Sequence, residues 1–124
     1  MALTEVRGEL INLTGLDVVG NGQTWQDVSA SRAKATEYQN TTDKPIMVSI
    51  TFTTAFTQRG QLQVSTTSGS GFIIISEADG GDYYSATQQT DHYANVQGII
   101  PVNHYYKITD SHTNLTIQGW AELR

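Results

Sequence analysis

Ile46-Met47-Val48-Ser49-Ile50-Thr51-Phe52 is the stretch that decides the fold of this chain. Ile46, Val48, Ile50 and Phe52 alternate with Met47, Ser49 and Thr51, and only an extended strand turns that period of two into one apolar face and one mostly polar face. The strand is expected to run from Ile46 to Phe56. Just before it, Thr42-Asp43-Lys44-Pro45 is a turn, with the proline at a position where a strand tolerates a missing N–H.

Working outward, short runs of the same kind recur between clusters of turn residues. They lie at about Thr24 to Val28, Thr36 to Asn40, Gln61 to Thr66, Phe72 to Glu77, Asn95 to Ile100, His104 to Thr109 and Leu115 to Leu123. With the first stretch this makes about eight strands, the pattern of an all-β antiparallel sandwich, jelly-roll-like in strand number. In the last run, Leu115, Ile117, Gly119 and Ala121 are expected on one face and Thr116, Gln118, Trp120 and Glu122 on the other. Thr67-Ser68-Gly69-Ser70-Gly71 supplies a turn tolerant of positive φ. The segment from Ala78 to Ala94 is the longest without strand periodicity and reads as a long loop, the kind of segment that tends to carry function.

Ahead of these strands, Leu3, Val6, Leu10, Leu13 and Leu16 recur at spacings of three and four, which is helical periodicity, weakened by Gly8, Asn12 and Gly15. Residues 1–22 therefore form an amino-terminal arm for docking or oligomerisation, set off by Gly20-Asn21-Gly22 from a sandwich domain over residues 23–124.

Composition narrows the function classes. The 124 residues hold 38% hydrophobic and only 15% charged side chains, with 12 acidic against 7 basic and a net charge of −5. A phosphate backbone would meet no electrostatic grip, so nucleic acid is not an expected partner. The chain has no cysteine, which removes disulfides, thiolate metal sites and cysteine nucleophiles together. No apolar run approaches the roughly 20 residues that span a bilayer, and Met1-Ala2-Leu3-Thr4-Glu5 lacks the opening of a signal peptide, so neither membrane insertion nor export by the usual route is expected.

No catalytic constellation stands out. Glu77, Asp79, Asp82 and Asp91 offer oxygens of the kind calcium takes, without the ligand spacing of an EF-hand. His92, His104 and His112 are too scattered to read as a metal site. Gly69-Ser70-Gly71 lacks the strand-to-helix context of a nucleophile elbow. The expectation is a non-enzymatic protein without cofactor or metal. Sequons at Asn12, Asn40 and Asn114 read as coincidence in a Thr-rich chain. The best candidates for contacting a partner are Asp82, Tyr83, Tyr84, His92 and Tyr93 on the long loop, because exposed tyrosines offer large contact area with few rotatable bonds.

Two blocks, Gly22-Gln23-Thr24-Trp25-Gln26-Asp27-Val28-Ser29-Ala30-Ser31-Arg32 and Tyr38-Gln39-Asn40-Thr41-Thr42-Asp43-Lys44-Pro45-Ile46-Met47-Val48, resemble the C-terminal domain of tailed-phage tail-fibre and virion structural proteins. The closing strand Leu115-Thr116-Ile117-Gln118-Gly119-Trp120-Ala121-Glu122-Leu123 is similar as well. The resemblance implies a β-sandwich at the end of a fibre, often homotrimeric, made in the host cytoplasm and carried on the virion. Its implied partners are copies of itself, other virion proteins and a host-surface glycan or protein. Trp25, Tyr38 and Trp120 suit core or inter-subunit anchors, and Arg32 a pairing across a subunit boundary. Two alternatives stay open: a capsid decoration protein that docks through residues 1–22, and a carbohydrate-binding or carbohydrate-active module using Glu77, Asp79 or Asp82.

Overall fold

The structure, a computed structural model, describes residues 18–54, 58–79, 81–85, 88–111 and 114–124, the stretch 81–91 by its backbone. Residues 1–17 of the 1–22 arm, and His112, lie outside the described residues. The strands are β1 (Trp25–Asp27), β2 (Tyr38–Gln39), β3 (Ile46–Thr53), β4 (Arg59–Ser65), β5 (Ile73–Asp79), β6 (Gly81–Ser85), β7 (Gln88–Asp91), β8 (Tyr93–Ile100), β9 (Tyr105–Asp110) and β10 (Thr116–Leu123). One sheet runs β1-β10-β3-β8, a second runs β2-β9-β4-β5, and β6 with β7 makes a separate ribbon.

The pairing is nested. β1 pairs with β10, β2 with β9, β3 with β8 and β4 with β5, all antiparallel. This is one long antiparallel ribbon folded over on itself and closed by the β10–β3 and β4–β9 pairs, the connectivity of a jelly roll. The chain is thus an all-β antiparallel sandwich with eight strands in its two sheets.

The decisive stretch behaves as its alternation requires. Ile46, Val48, Ile50 and Phe52 of β3 point between the sheets and are buried, while Met47, Ser49, Thr51 and Thr53 face outward. Leu62, Val64, Tyr106 and Ile108 meet them from the second sheet. Each fully buried side chain of this size contributes roughly 1.5–3 kcal/mol relative to exposure.

Three expectations are corrected. β3 ends at Thr53 rather than Phe56. The 78–94 segment is not a loop: β5 runs on to Asp79, β6 and β7 form a hairpin, and β8 already begins at Tyr93. In β10 the pairing with β3 jumps between Ile117 and Gly119, leaving Gln118 as an extra residue. That bulge reverses the alternation beyond it, so Trp120 and Glu122 are buried while Ala121 and Leu123 turn outward.

Candidate functional site

The bulge in β10 drives a carboxylate into the sandwich, and charged and aromatic groups converge on it. Glu122 is fully buried. Its Oε1 accepts from Arg32 Nε at 2.9 Å, the Tyr106 hydroxyl at 2.7 Å and Trp120 Nε1 at 3.1 Å. Its Oε2 accepts from Arg32 Nη2 at 3.1 Å and lies 3.4 Å from Arg124 Nη1. The Arg32 guanidinium stacks 4.5 Å above the Tyr38 ring, which meets Trp120 edge-on at 5.7 Å.

These contacts set the ionisation of the cluster. Burial together with the hydrogen bond to the Glu122 carboxylate pushes the Tyr106 phenol well above its ordinary value. Desolvation works against the charge on Arg32, but the hydrogen bond and charge of Glu122 outweigh it and its pKa is raised. Both carboxylate oxygens are occupied by donors from the Arg32 segment, β9 and β10. The arrangement is therefore a clamp that ties these elements together.

The clamp revises several sequence expectations. Arg32 pairs with Glu122 of its own chain. Trp120 is a core anchor, and Tyr38 packs half-buried against the core. Trp25 is not in the core: it lies on the outer face of β1, 52% exposed. Plain alternation puts Glu122 on the face of Thr116 and Gln118, which are exposed, whereas Glu122 is buried. The available signal was Gly119, since a glycine inside a strand often marks a bulge.

The second resembling block also has a physical role. Asn40 is buried, and its Nδ2 lies within hydrogen-bond distance of the carbonyls of Lys44, Ile100 and Pro101 at 2.8, 3.0 and 3.3 Å. Its Oδ1 accepts from the Thr42 amide at 3.1 Å and the Thr42 hydroxyl at 2.6 Å. Asn40 thus closes the turn before Pro45 and pins it to the end of β8. A side-chain amide used in this way is not accessible as a glycan acceptor.

The candidate contact residues are spread along the β6–β7 ribbon and its exit. Asp82, Tyr83 and Tyr84 belong to β6, and their side chains lie outside the described residues. His92 links the ribbon to β8 and is exposed, and Tyr93 opens β8 at 74% exposure. Glu77 and Asp79, weighed as calcium ligands and as an acid pair, are both held by Arg59, at 2.8 and 3.0 Å. Gln61 Nε2 adds a 2.6 Å hydrogen bond to Glu77. The Gln61 and Arg59 hydrogen bonds hold the Glu77 carboxyl below its usual range. Among the described residues no group of three or more His, Asp or Glu side chains converges as a metal site.

Two surface features remain. On the outer face of the β1-β10-β3-β8 sheet, Asp27, Ser29, Ser49, Thr51, Gln118 and Gly119 line a shallow concavity of about 350 Å³ at the bulge. Its polar groups are already engaged with each other or their neighbours: Ser29 Oγ donates to Asp27, and Asn95 donates to Ser49 and Thr51. At the edge of the other sheet, β5 exposes Ile73, Ile74 and Ile75 at 64%, 51% and 39%. Among the described residues no helix is long and apolar enough to cross a membrane. No family model matches the sequence, and neither the curated proteins nor the solved structures give a match.

Proposed function

We propose that this chain is a non-enzymatic structural module of a tailed-phage virion that assembles with copies of itself, as a homotrimer, and presents its β6–β7 ribbon to a host-surface glycan or protein. The virion assignment rests on the resemblance of the Gly22–Arg32 and Tyr38–Val48 blocks. The observation that carries the assembly reading is the β5 edge. Three consecutive exposed isoleucines on an edge strand are a liability that a solitary domain normally blunts with charge or proline. Burial against another copy removes that liability, and closed symmetry limits the contact to a defined number of copies.

The two roles occupy different ends of the same edge. Ile73 opens β5 and Asp79 closes it before the ribbon, about 20 Å apart at the usual rise of a strand. Light scattering on the purified chain tests the reading. A trimer that dissociates on Ile74→Lys without loss of fold is the expected outcome, and a monomer at micromolar concentration overturns it.

A further inference from the structure

The outer face of the β1-β10-β3-β8 sheet is laid out in rows. Trp25, Leu123, Met47 and Ile99 are register partners and make one apolar row. The next row is Asp27, Ala121, Ser49 and Gln97, and the one after is Gly119, Thr51 and Asn95. These rows face away from the core, because the strand neighbours Val48, Ile50, Val96 and Glu122 are buried. Trp25, at 52% exposure, stands at one corner of the face on β1, and Tyr93, at 74%, stands at the opposite corner on β8. Three strand spacings across the sheet and six residues along β8 separate the two corners, roughly 25 Å in all.

Between them the surface is hollow. β10 crosses the floor with Gly119 and Ala121, and a Cβ at Gly119 would meet nothing within 4 Å. The resulting concavity of about 350 Å³ is within the size range of sites for small organic ligands. Its polar groups are held in fixed orientation. Asn95 Nδ2 donates to Ser49 Oγ and Thr51 Oγ1, both at 3.1 Å. Each hydroxyl thus keeps its own hydrogen to donate, and Asn95 Oδ1 is left to accept. Asp27 receives both Ser29 bonds on Oδ1, at 3.0 and 2.6 Å, so among the described residues Oδ2 is open to a further donor. Gln97 adds an exposed amide beside Ser49. Of the residues that line the concavity only Asp27 is charged.

Donors and acceptors interspersed on a shallow surface, with exposed rings at its corners, suit one kind of molecule. A sugar chain presents hydroxyls, each both donor and acceptor, around its rim. Its polarised C–H bonds meet the negative face of an aromatic ring. A lone carboxylate without a cation in the lining disfavours an anionic chain. We infer that this face binds a neutral oligosaccharide, laid across Ser49, Thr51, Asn95 and Gln97 between Trp25 and Tyr93, with Asp27 accepting from a sugar hydroxyl. The inference rests on the sheet face alone, so it stands or falls separately from the assembly reading and from the role of the β6–β7 ribbon.

Titration of the intact chain with neutral hexasaccharides of glucose, galactose, mannose and N-acetylglucosamine, followed by calorimetry and tryptophan emission, tests this. Trp120 is 1% exposed, so a change in emission reports on Trp25. The expected result is saturable binding of at least one hexasaccharide with Kd of about 1 mM or tighter and a blue shift of the Trp25 emission. Trp25→Ala, and Gly119→Leu, which fills the hollow, should each weaken that binding about tenfold. Thr51→Val, which removes one hydroxyl and keeps the shape of the side chain, should weaken it severalfold and keeps the test decisive if either other variant folds poorly. No saturable binding of any neutral hexasaccharide overturns the proposal. So does binding that the variants leave unchanged, because the sugar then sits elsewhere on the molecule, and so does tighter binding of chondroitin sulfate than of every neutral probe.

Discussion

Glu122 shows how much one side chain can depend on its neighbours. Removing it would leave Arg32, at 12% side-chain exposure, the Tyr106 hydroxyl and Trp120 Nε1 in the sandwich without their acceptor. Breaking one partner of a buried ion pair costs about 3–5 kcal/mol, a large share of the roughly 5–15 kcal/mol that holds a domain folded. Glu122→Ala, which leaves no side-chain acceptor, is therefore expected to lower unfolding stability by at least that amount in urea titration, and a loss within experimental error would refute the clamp. A second expectation concerns acid. The hydrogen bonds from the Ser29 hydroxyl and amide lower the Asp27 pKa from 3.8, and those from Gln61 and Arg59 lower that of Glu77 from 4.5. The folded chain then binds fewer protons than the unfolded one, so their contribution is complete above the ordinary values and is lost as pH falls through the lowered ones. Melting temperature should hold level down to about pH 5 and decline below it. A rise on acidification would contradict the sign.

At the scale of elements, the two sheets approach closely where a strand carries glycine. A Cβ at Gly60 of β4 would overlap the ring of Phe52, which is fully buried in β3 and has nowhere to move. A Cβ at Gly98 of β8 would meet chiefly the far end of Ile75, a half-exposed side chain free to swing toward solvent. Overpacking a closed core costs roughly 1–3 kcal/mol, so Gly60→Ala should destabilise within that range and Gly98→Ala by clearly less. Chemical denaturation of the two variants side by side checks the contrast, and equal costs would mean that Phe52 can relax. The strands themselves were legible from alternation and turn residues. The register of β10 was not, because alternation says that faces switch every residue but not where Gln118 interrupts the count. The ribbon was missed for a related reason: Gly81–Ser85 and Gln88–Asp91 lack apolar alternation and are defined by pairing with each other.

For the molecule as a whole, the nested pairing places β5 and β8 at corresponding edges of the two sheets and leaves the β5 isoleucines facing solvent. If trimerisation buries this edge, stability depends on protein concentration through mass action. The melting temperature should rise with concentration for the unaltered chain and lose that dependence in Ile74→Lys, as differential scanning measurements across a concentration series would show. An unaltered chain whose melting is independent of concentration would speak against assembly through this edge.

By itself, the sequence determined the all-β class, the approximate strand positions and the turn before Pro45. These are local matters of period, propensity and turn chemistry. Only the tertiary structure decided that Glu122 and Trp120 face inward, that Trp25 faces outward, and that residues 25, 47, 99 and 123 line up in one row. Each of those outcomes depends on pairing between strands far apart in sequence, and a single extra residue in one strand is enough to exchange its inner and outer faces.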